Sequence, residues 1–295
     1  MMEFAYYPGC SLETTGKPYD QSVREVFKVL DIKLRDIDDW NCCGATMYMS
    51  INELVGFSVA ARNLAIAQKS GLEICAPCNS CYTILRKTNR QIAWDPSMRE
   101  KVNDALGAAN LKYDGGVEVR HPLDILVNDV KLDKVIAASK FKFEGLKVAP
   151  YYGCQLVRPV YHFDDIEDPV TMDRLLESIG IDAVEYQDKV RCCGGMLMTT
   201  FEDVALQLNN DLITHAEEAG AEVIATACPL CQMNLECYQE KINSKYGTQH
   251  KMPIVYFSQL VGLALGISEH ALGLDSMMLP IINSKLAPIQ ERKAV

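Results

Sequence analysis

Ten cysteines recur in this chain as two sets of five, in the same order and at nearly the same spacing. Cys42, Cys43, Cys78 and Cys81 are matched 150 residues later by Cys192, Cys193, Cys228 and Cys231, and Cys10 is matched by Cys154 at an offset of 144. Each set reads Cys, a gap of 31 or 37 residues, Cys-Cys-Gly, 33 residues, then Cys-x-x-Cys. The flanks repeat as well: YYPGCS at 6–11 resembles YYGCQ at 151–155, and VEVRHPLDILV at 117–127 resembles PIVYFSQLVGL at 253–263. A 295-residue chain that states one plan twice reads as a duplicated domain, with halves at 1–145 and 146–295. The first half has extra sequence at 91–112, expected to be a helical excursion.

Between the cysteines the pattern alternates. EFAYYP, LEICA, LKVAPYY and AEVIATA are short apolar runs of strand type. YDQSVREVFKVL, residues 52–69, VTMDRLLESIG and DVALQLNNDLITHAEEAG have helical periodicity. Strands alternating with helices give βαβ units and parallel sheets, so the fold class is α/β: two pseudo-symmetric Rossmann-like domains, each with one cysteine set. Cys10, Cys78, Cys154 and Cys228 each follow a predicted strand, and ligands in open α/β sheets sit outside the carboxyl ends of strands. The chain has no Gly-x-Gly-x-x-Gly fingerprint and no Walker loop, so the architecture does not imply a dinucleotide.

A net charge of -10 argues against nucleic acid or an anionic membrane as the partner. A small anion can still be held by a few local cations. The N-terminus carries Glu3 and no basic stretch of signal-peptide type, and the longest apolar run, near 260–267, is far short of the roughly 20 residues a spanning helix needs. The expectation is a cytoplasmic protein without direct membrane insertion. Twelve cysteines in that compartment point to metal or redox chemistry rather than disulfides.

Thiolates suit zinc, copper(I) or iron–sulfur clusters. Structural zinc and an ordinary four-iron cubane each take four ligands, and each half offers five cysteines. Adjacent cysteines point apart in extended chain, so Gly44 and Gly194 are expected to turn the backbone at each pair. A larger or more open cluster, whose irons are bound or bridged by neighbouring sulfurs, accommodates both features.

The arrangement Cys, Cys-Cys-Gly, Cys-x-x-Cys, with YYPGC and YYGC opening the two copies, resembles the cysteine-rich CCG motif of the heterodisulfide reductase B subunit from methanogenic archaea. The resemblance covers nearly the whole chain. It implies two noncubane four-iron clusters, one on Cys10, Cys42, Cys43, Cys78 and Cys81, the other on Cys154, Cys192, Cys193, Cys228 and Cys231. It further implies reduction of the coenzyme M–coenzyme B mixed disulfide to two thiols, by homolytic cleavage between the clusters. The implied partners are the iron–sulfur C subunit of that enzyme, reduced by its flavoprotein A subunit or by a cytochrome, with a hydrogenase or formate dehydrogenase in a larger complex.

Other residues admit two readings. Cys75 and Cys237 correspond to Ala225 and Lys87 in the other half, which favours core or inert thiols over an additional ferredoxin-type set. His121 and His162 are candidates for proton delivery, against ordinary core or surface histidines. Arg158, Lys189 and Arg191 are candidates for the substrate anion, against solvated surface charge. Met47, Met49, Met196 and Met198 flank the double cysteines and suit either an apolar shell around a cluster or plain packing. The tail from Leu279 to Val295 is a candidate partner contact. Two alternative functions stand beside the reductase. One is a non-catalytic electron-transfer subunit of another CCG-containing dehydrogenase. The other is a zinc-stabilised scaffold, which would leave one cysteine of each set unused.

Overall fold

In the computed structural model, which describes residues 2–45, 48–158, 164–275 and 284–288, β1 (Met2–Tyr6) is the pivot of the N-terminal half. It pairs in parallel with β2 (Ile32–Asp36) on one side and β3 (Ile74–Cys75) on the other, and β3 pairs with β4 (Val119–Arg120). A short strand, β5 (Phe141–Phe143), follows outside this sheet. The C-terminal half repeats the plan. β6 (Lys147–Tyr151) lies between β7 (Asp182–Ala183) and β8 (Val223–Thr226), and β8 pairs with β9 (Ile254–Tyr256), all parallel. The orders β2-β1-β3-β4 and β7-β6-β8-β9 are the same. β10 (Leu286–Pro288) returns to pair antiparallel with β5.

The expected α/β class with parallel sheets is present. In each half the winding reverses between the first and third strands, which opens a crevice at their carboxyl ends. Cys10 and Cys78 follow β1 and β3; Cys154 and Cys228 follow β6 and β8. The edge strands β2 and β7 were not among the sequence expectations. β2 reads IKLRD and is buried at only one of its positions, so it lacks the apolar run that marks the central strands.

The helices form where the pattern places them. Lys17–Val29 buries Tyr19, Val23, Val26 and Phe27, one stripe at helical spacing. Glu53–Gln68 begins at Asn52, whose side chain accepts from the Val55 amide at 3.2 Å. The expected excursion contains the helix Pro96–Gly107, capped by the Asp95 carboxylate.

The halves meet through the helix Lys17–Val29, which follows β1, and the helix Phe257–Ala264, which follows β9. Tyr19 stacks on Tyr256 with ring centroids 4.3 Å apart, and the buried Ser22 and Ser258 hydroxyls lie 2.7 Å apart. One continuous apolar core runs through both halves. Among the described residues no helix is long and apolar enough to cross a membrane.

Candidate metal centre

Both double cysteines are held by the same bonds. The Tyr7 hydroxyl donates to the Asn41 carbonyl at 2.7 Å, and the Tyr151 hydroxyl donates to the Arg191 carbonyl at 2.7 Å. Each tyrosine stands three residues before the first cysteine of its set, and each carbonyl belongs to the residue just before the pair. Burial drives both phenol pKa values up, so both stay protonated donors. Gly44 (φ +78°) and Gly194 (φ +84°) take the left-handed conformation that lets the second sulfur turn inward, as expected. Their amides face the Cys42 and Cys192 sulfurs at 3.5 and 3.3 Å.

A second pair of glycines shapes the crevice. Gly9 and Gly153 also have positive φ, and a Cβ there would come within 2.9 Å of the Cys81 sulfur and 3.1 Å of the Cys231 sulfur. Only a bare backbone allows the first loop of each half to lie against its Cys-x-x-Cys.

Buried asparagines brace the loops from behind. Asn63 accepts from the Asn41 amide at 2.9 Å and donates to its carbonyl at 3.0 Å. Asn209, on the helix Glu202–Glu218, and Asn234 both donate to the Cys193 carbonyl, at 2.9 and 3.1 Å. Sequence reading passed over these residues. Their signal was a polar side chain on the buried face of an otherwise apolar helix stripe.

The sulfurs are crowded. Cys193 and Cys231 lie 3.4 Å apart, and Cys43 interacts with Cys81. Cys154 meets Cys192. Cys78 and Cys228 interact across the junction of the halves, which makes neighbours of the two Cys-x-x-Cys loops. Thiols this close share protons. Cys43 is pushed down by the bond from Cys42, Cys192 by the bond from Cys154, and Cys228 by the bond from Cys231. Their partners Cys42 and Cys154 are pushed up. Among the described residues no three Cys, His, Asp or Glu side chains converge as a site for a single ion. What fits a cluster is the donor chemistry: two groups of soft sulfurs around glycine-lined space, with Cys10 and Cys42 exposed and Cys154 and Cys192 half-buried.

The remaining candidates sort by their contacts. His121 is fully buried and sits between the two Cys-x-x-Cys loops. Its Nδ1 accepts from the Leu123 amide at 3.2 Å, which leaves the proton on Nε2, facing the Pro77 carbonyl at 2.8 Å and the Ala227 carbonyl at 3.2 Å. Burial lowers its pKa to about 4. It ties the loops together and is not poised to deliver a proton. His162 and Met47 lie outside the described residues, as does most of the tail beyond Leu279.

Lys189 is buried against Asp173 (2.7 Å) and Asp168 (3.3 Å), and Arg191 pairs with Asp211 at 2.9 Å and Asp188 at 3.5 Å. Both are therefore committed to protein carboxylates. Arg158 is exposed and makes no ion pair among the described residues; it lines a cavity that reaches Cys154 and Cys192. Met198 is core, Met49 packs partly against the core, and Met196 is 48% exposed, so the described methionines do not form one shell. Cys75 is wholly buried in β3, with its thiol pushed up by desolvation; Cys237 is exposed.

A family model described as the CCG cysteine-rich domain matches residues 4–86 and again 148–236. The chain is 32% identical over 275 residues to the 8-methylmenaquinol:fumarate reductase membrane anchor subunit of Wolinella succinogenes, covering 92% of this chain and 95% of that one. It is 29% identical over 280 residues to the B subunit of the ferredoxin:CoB-CoM heterodisulfide reductase of Methanosarcina mazei, with 93% of each covered. It is also 29% identical over 273 residues to a protein of Archaeoglobus profundus described as like the heterodisulfide reductase B subunit, covering 90% and 91%. A solved structure of a hypothetical protein from Helicobacter pylori superposes with a TM-score of 0.73 at 15% identity. That match covers 93% of this chain and 51% of that one, so the chain spans about half of that protein and shares its fold. With both of its cysteine sets inside the matched segments, the chain belongs to the CCG cysteine-rich domain family, and the heterodisulfide reductase B subunit is among its relatives.

Proposed function

We propose that the chain is an iron–sulfur subunit of an oxidoreductase complex of the heterodisulfide reductase type, and that it is the component on which the coenzyme M–coenzyme B disulfide is reduced. Cys10, Cys42, Cys43, Cys78 and Cys81 would hold one noncubane four-iron cluster; Cys154, Cys192, Cys193, Cys228 and Cys231 would hold the other. The division into 1–145 and 146–295 belongs to the same reading, with residue 145 between β5 and β6. The observation that carries it is the bridge of His121 Nε2 between the Pro77 and Ala227 carbonyls, at 2.8 and 3.2 Å, which makes neighbours of Cys78 and Cys228, the next residues, and so of two intact five-cysteine sets.

The reaction consumes two electrons and two protons: the S–S bond breaks and two S–H bonds form. When bound, the clusters would supply the electrons one at a time and offer open iron sites. The protein's own part is placement. Tyr7 and Tyr151 fix the double cysteines, Gly9 and Gly153 admit the Cys-x-x-Cys sulfurs, and His121 sets the spacing between the two loops. Electrons would arrive from an iron–sulfur partner like the reductase's C subunit, itself served by the flavoprotein A subunit, in the cytoplasm.

A second reading has its own support. The Wolinella relative, at 32% identity, is named as part of a quinol:fumarate reductase, which favours a non-catalytic electron-transfer role in such a complex.

Anaerobic iron, sulfide and zinc analysis, followed by EPR with added coenzyme M and an assay of heterodisulfide reduction, separates these readings. About eight irons per chain, a thiol-dependent signal and turnover are the expected result. Eight irons with neither thiol response nor turnover would transfer the assignment to electron transfer. Zinc without sulfide would overturn both.

A further inference from the structure

The cavity beside the C-terminal cysteine set has a volume of about 900 Å³, the size of a small-ligand site. Cys154 and Cys192 lie at its wall, and the helix Asn79–Trp94 of the other half forms its rim. That helix is held over the site by two bonds between the halves. Thr83 Oγ1 donates to the Gln155 carbonyl at 2.7 Å, and Asn79 Nδ2 donates to the Tyr152 carbonyl at 2.8 Å. Arg86, Lys87 and Arg90 fall on the same face as Thr83 and line the cavity, and Arg158 joins them from across it. Among the described lining residues the acid is Glu118, 3.8 Å from Arg86. In a chain of net charge -10, four cations, Arg86 being paired with Glu118, against one carboxylate among the described lining residues form a local positive field.

The repeat does not reproduce this rim. The positions that match Arg86, Lys87 and Arg90 at the 150-residue offset are Glu236, Cys237 and Glu240. Glu236 and Cys237 lie on the helix Pro229–Cys237, which packs in turn against the short helix Gly9–Leu12 that carries Cys10. The basic rim is thus a property of one site and not of the fold.

We propose that this cavity binds the anionic end of a small organic sulfur compound, a sulfonate, phosphate or carboxylate bearing the thiol or disulfide, and so delivers its sulfur to the C-terminal cysteine set through Lys87 and Arg158. The class of ligand rests on the function proposed above; the anion site itself does not. Sequence reading found Arg158 alone, because the other cations come from the opposite half.

The test uses the cluster-loaded protein and the double variant Lys87→Glu, Arg158→Glu, with Glu240→Lys as the control on the other half. Two probes are titrated: ethanesulfonate, followed by calorimetry, and 2-mercaptoethanesulfonate, followed by its EPR response, each against the uncharged 2-mercaptoethanol. The double variant is expected to bind both sulfonates about tenfold or more weakly, with 2-mercaptoethanol unchanged and the control unaffected. Equal affinity of wild type and double variant for ethanesulfonate would overturn the site, as would no binding by wild type. Unchanged sulfonate binding with weakened association of a partner protein would also overturn it, and would assign the cations to that contact. Sulfonate binding that follows the charges without any EPR response to thiols would keep the anion site while removing the reductase reading.

Discussion

Around Cys42–Cys43 and around Cys192–Cys193 the chain is held by matching bonds, a tyrosine hydroxyl on the preceding carbonyl and a left-handed glycine after the pair, while the asparagine from the next long helix braces Asn41 in one half and the Cys193 carbonyl in the other. One layer further out the halves part. The helix after the first Cys-x-x-Cys presents Arg86, Lys87 and Arg90, while the second presents Glu236 and Cys237, with Glu240 on the next helix, Gln239–Tyr246. At the junction, His121 stands where the repeat has Phe257. What both halves share is what holding five sulfurs demands. What they do not share faces solvent or the other half, where each copy meets a different neighbour.

The comparison breaks most sharply at the glycines. Gly9→Val and Gly153→Val each place a side chain against a sulfur at positive φ, and each should cost one cluster, taking iron from about eight to about four per chain. Iron and sulfide analysis checks this. If only one variant loses iron, the two frames are not equivalent.

His121→Phe makes the junction match the repeat. It removes the Nε2 proton from the Pro77 and Ala227 carbonyls and should cost about 1–3 kcal/mol at neutral pH. It should also remove a pH dependence. The folded pKa of about 4 lies below the ordinary 6.5, so the unfolded chain takes up its proton first on acidification. Wild-type stability should therefore be undiminished by this group above about pH 6.5 and fall between there and pH 4 by a few kcal/mol. Denaturant titrations of both proteins at pH 7.5, 6 and 5 should converge as pH falls. Parallel curves would remove His121 as the cause.

Tyr7→Phe removes one of the two donors to the Asn41 carbonyl, Tyr151→Phe removes the hydroxyl donor to the Arg191 carbonyl, and each should lower stability by about 1 kcal/mol in thermal or denaturant unfolding. Similar losses sharpen the equivalence of the frames; a large difference would locate the stress in one half. The smallest effects are expected at the unrepeated cysteines. Cys75→Ala and Cys237→Ser should leave iron content unchanged, with a stability loss of about 1 kcal/mol confined to the buried Cys75.

The cysteine repeat was legible because ligation fixes residue type and register together, and the parallel sheets followed from strands that are apolar throughout. Edge strands β2 and β7 were not legible, since a strand paired on one side needs no such run. Lys189 and Arg191 looked available from their place beside a cysteine pair, yet Asp173 and Asp211, distant in sequence, neutralise them. The cations of the cavity were hidden for the converse reason. Arg86 and Lys87 stand close in sequence to Cys81 and serve the space beside Cys154, a placement that only the packing of one half on the other creates. Proton delivery by His121 failed on burial, which no periodicity around it announced.

The crossed helices also bear on ancestry. If two separate copies of one such half once paired as they do here, each would have lent its helix to the other's site, and any substitution would have appeared at both mouths at once. Joining the copies in one polypeptide removes that constraint. A lysine can be gained at position 87 while a cysteine stays at 237, and a symmetric vessel becomes one with an inlet on a single side.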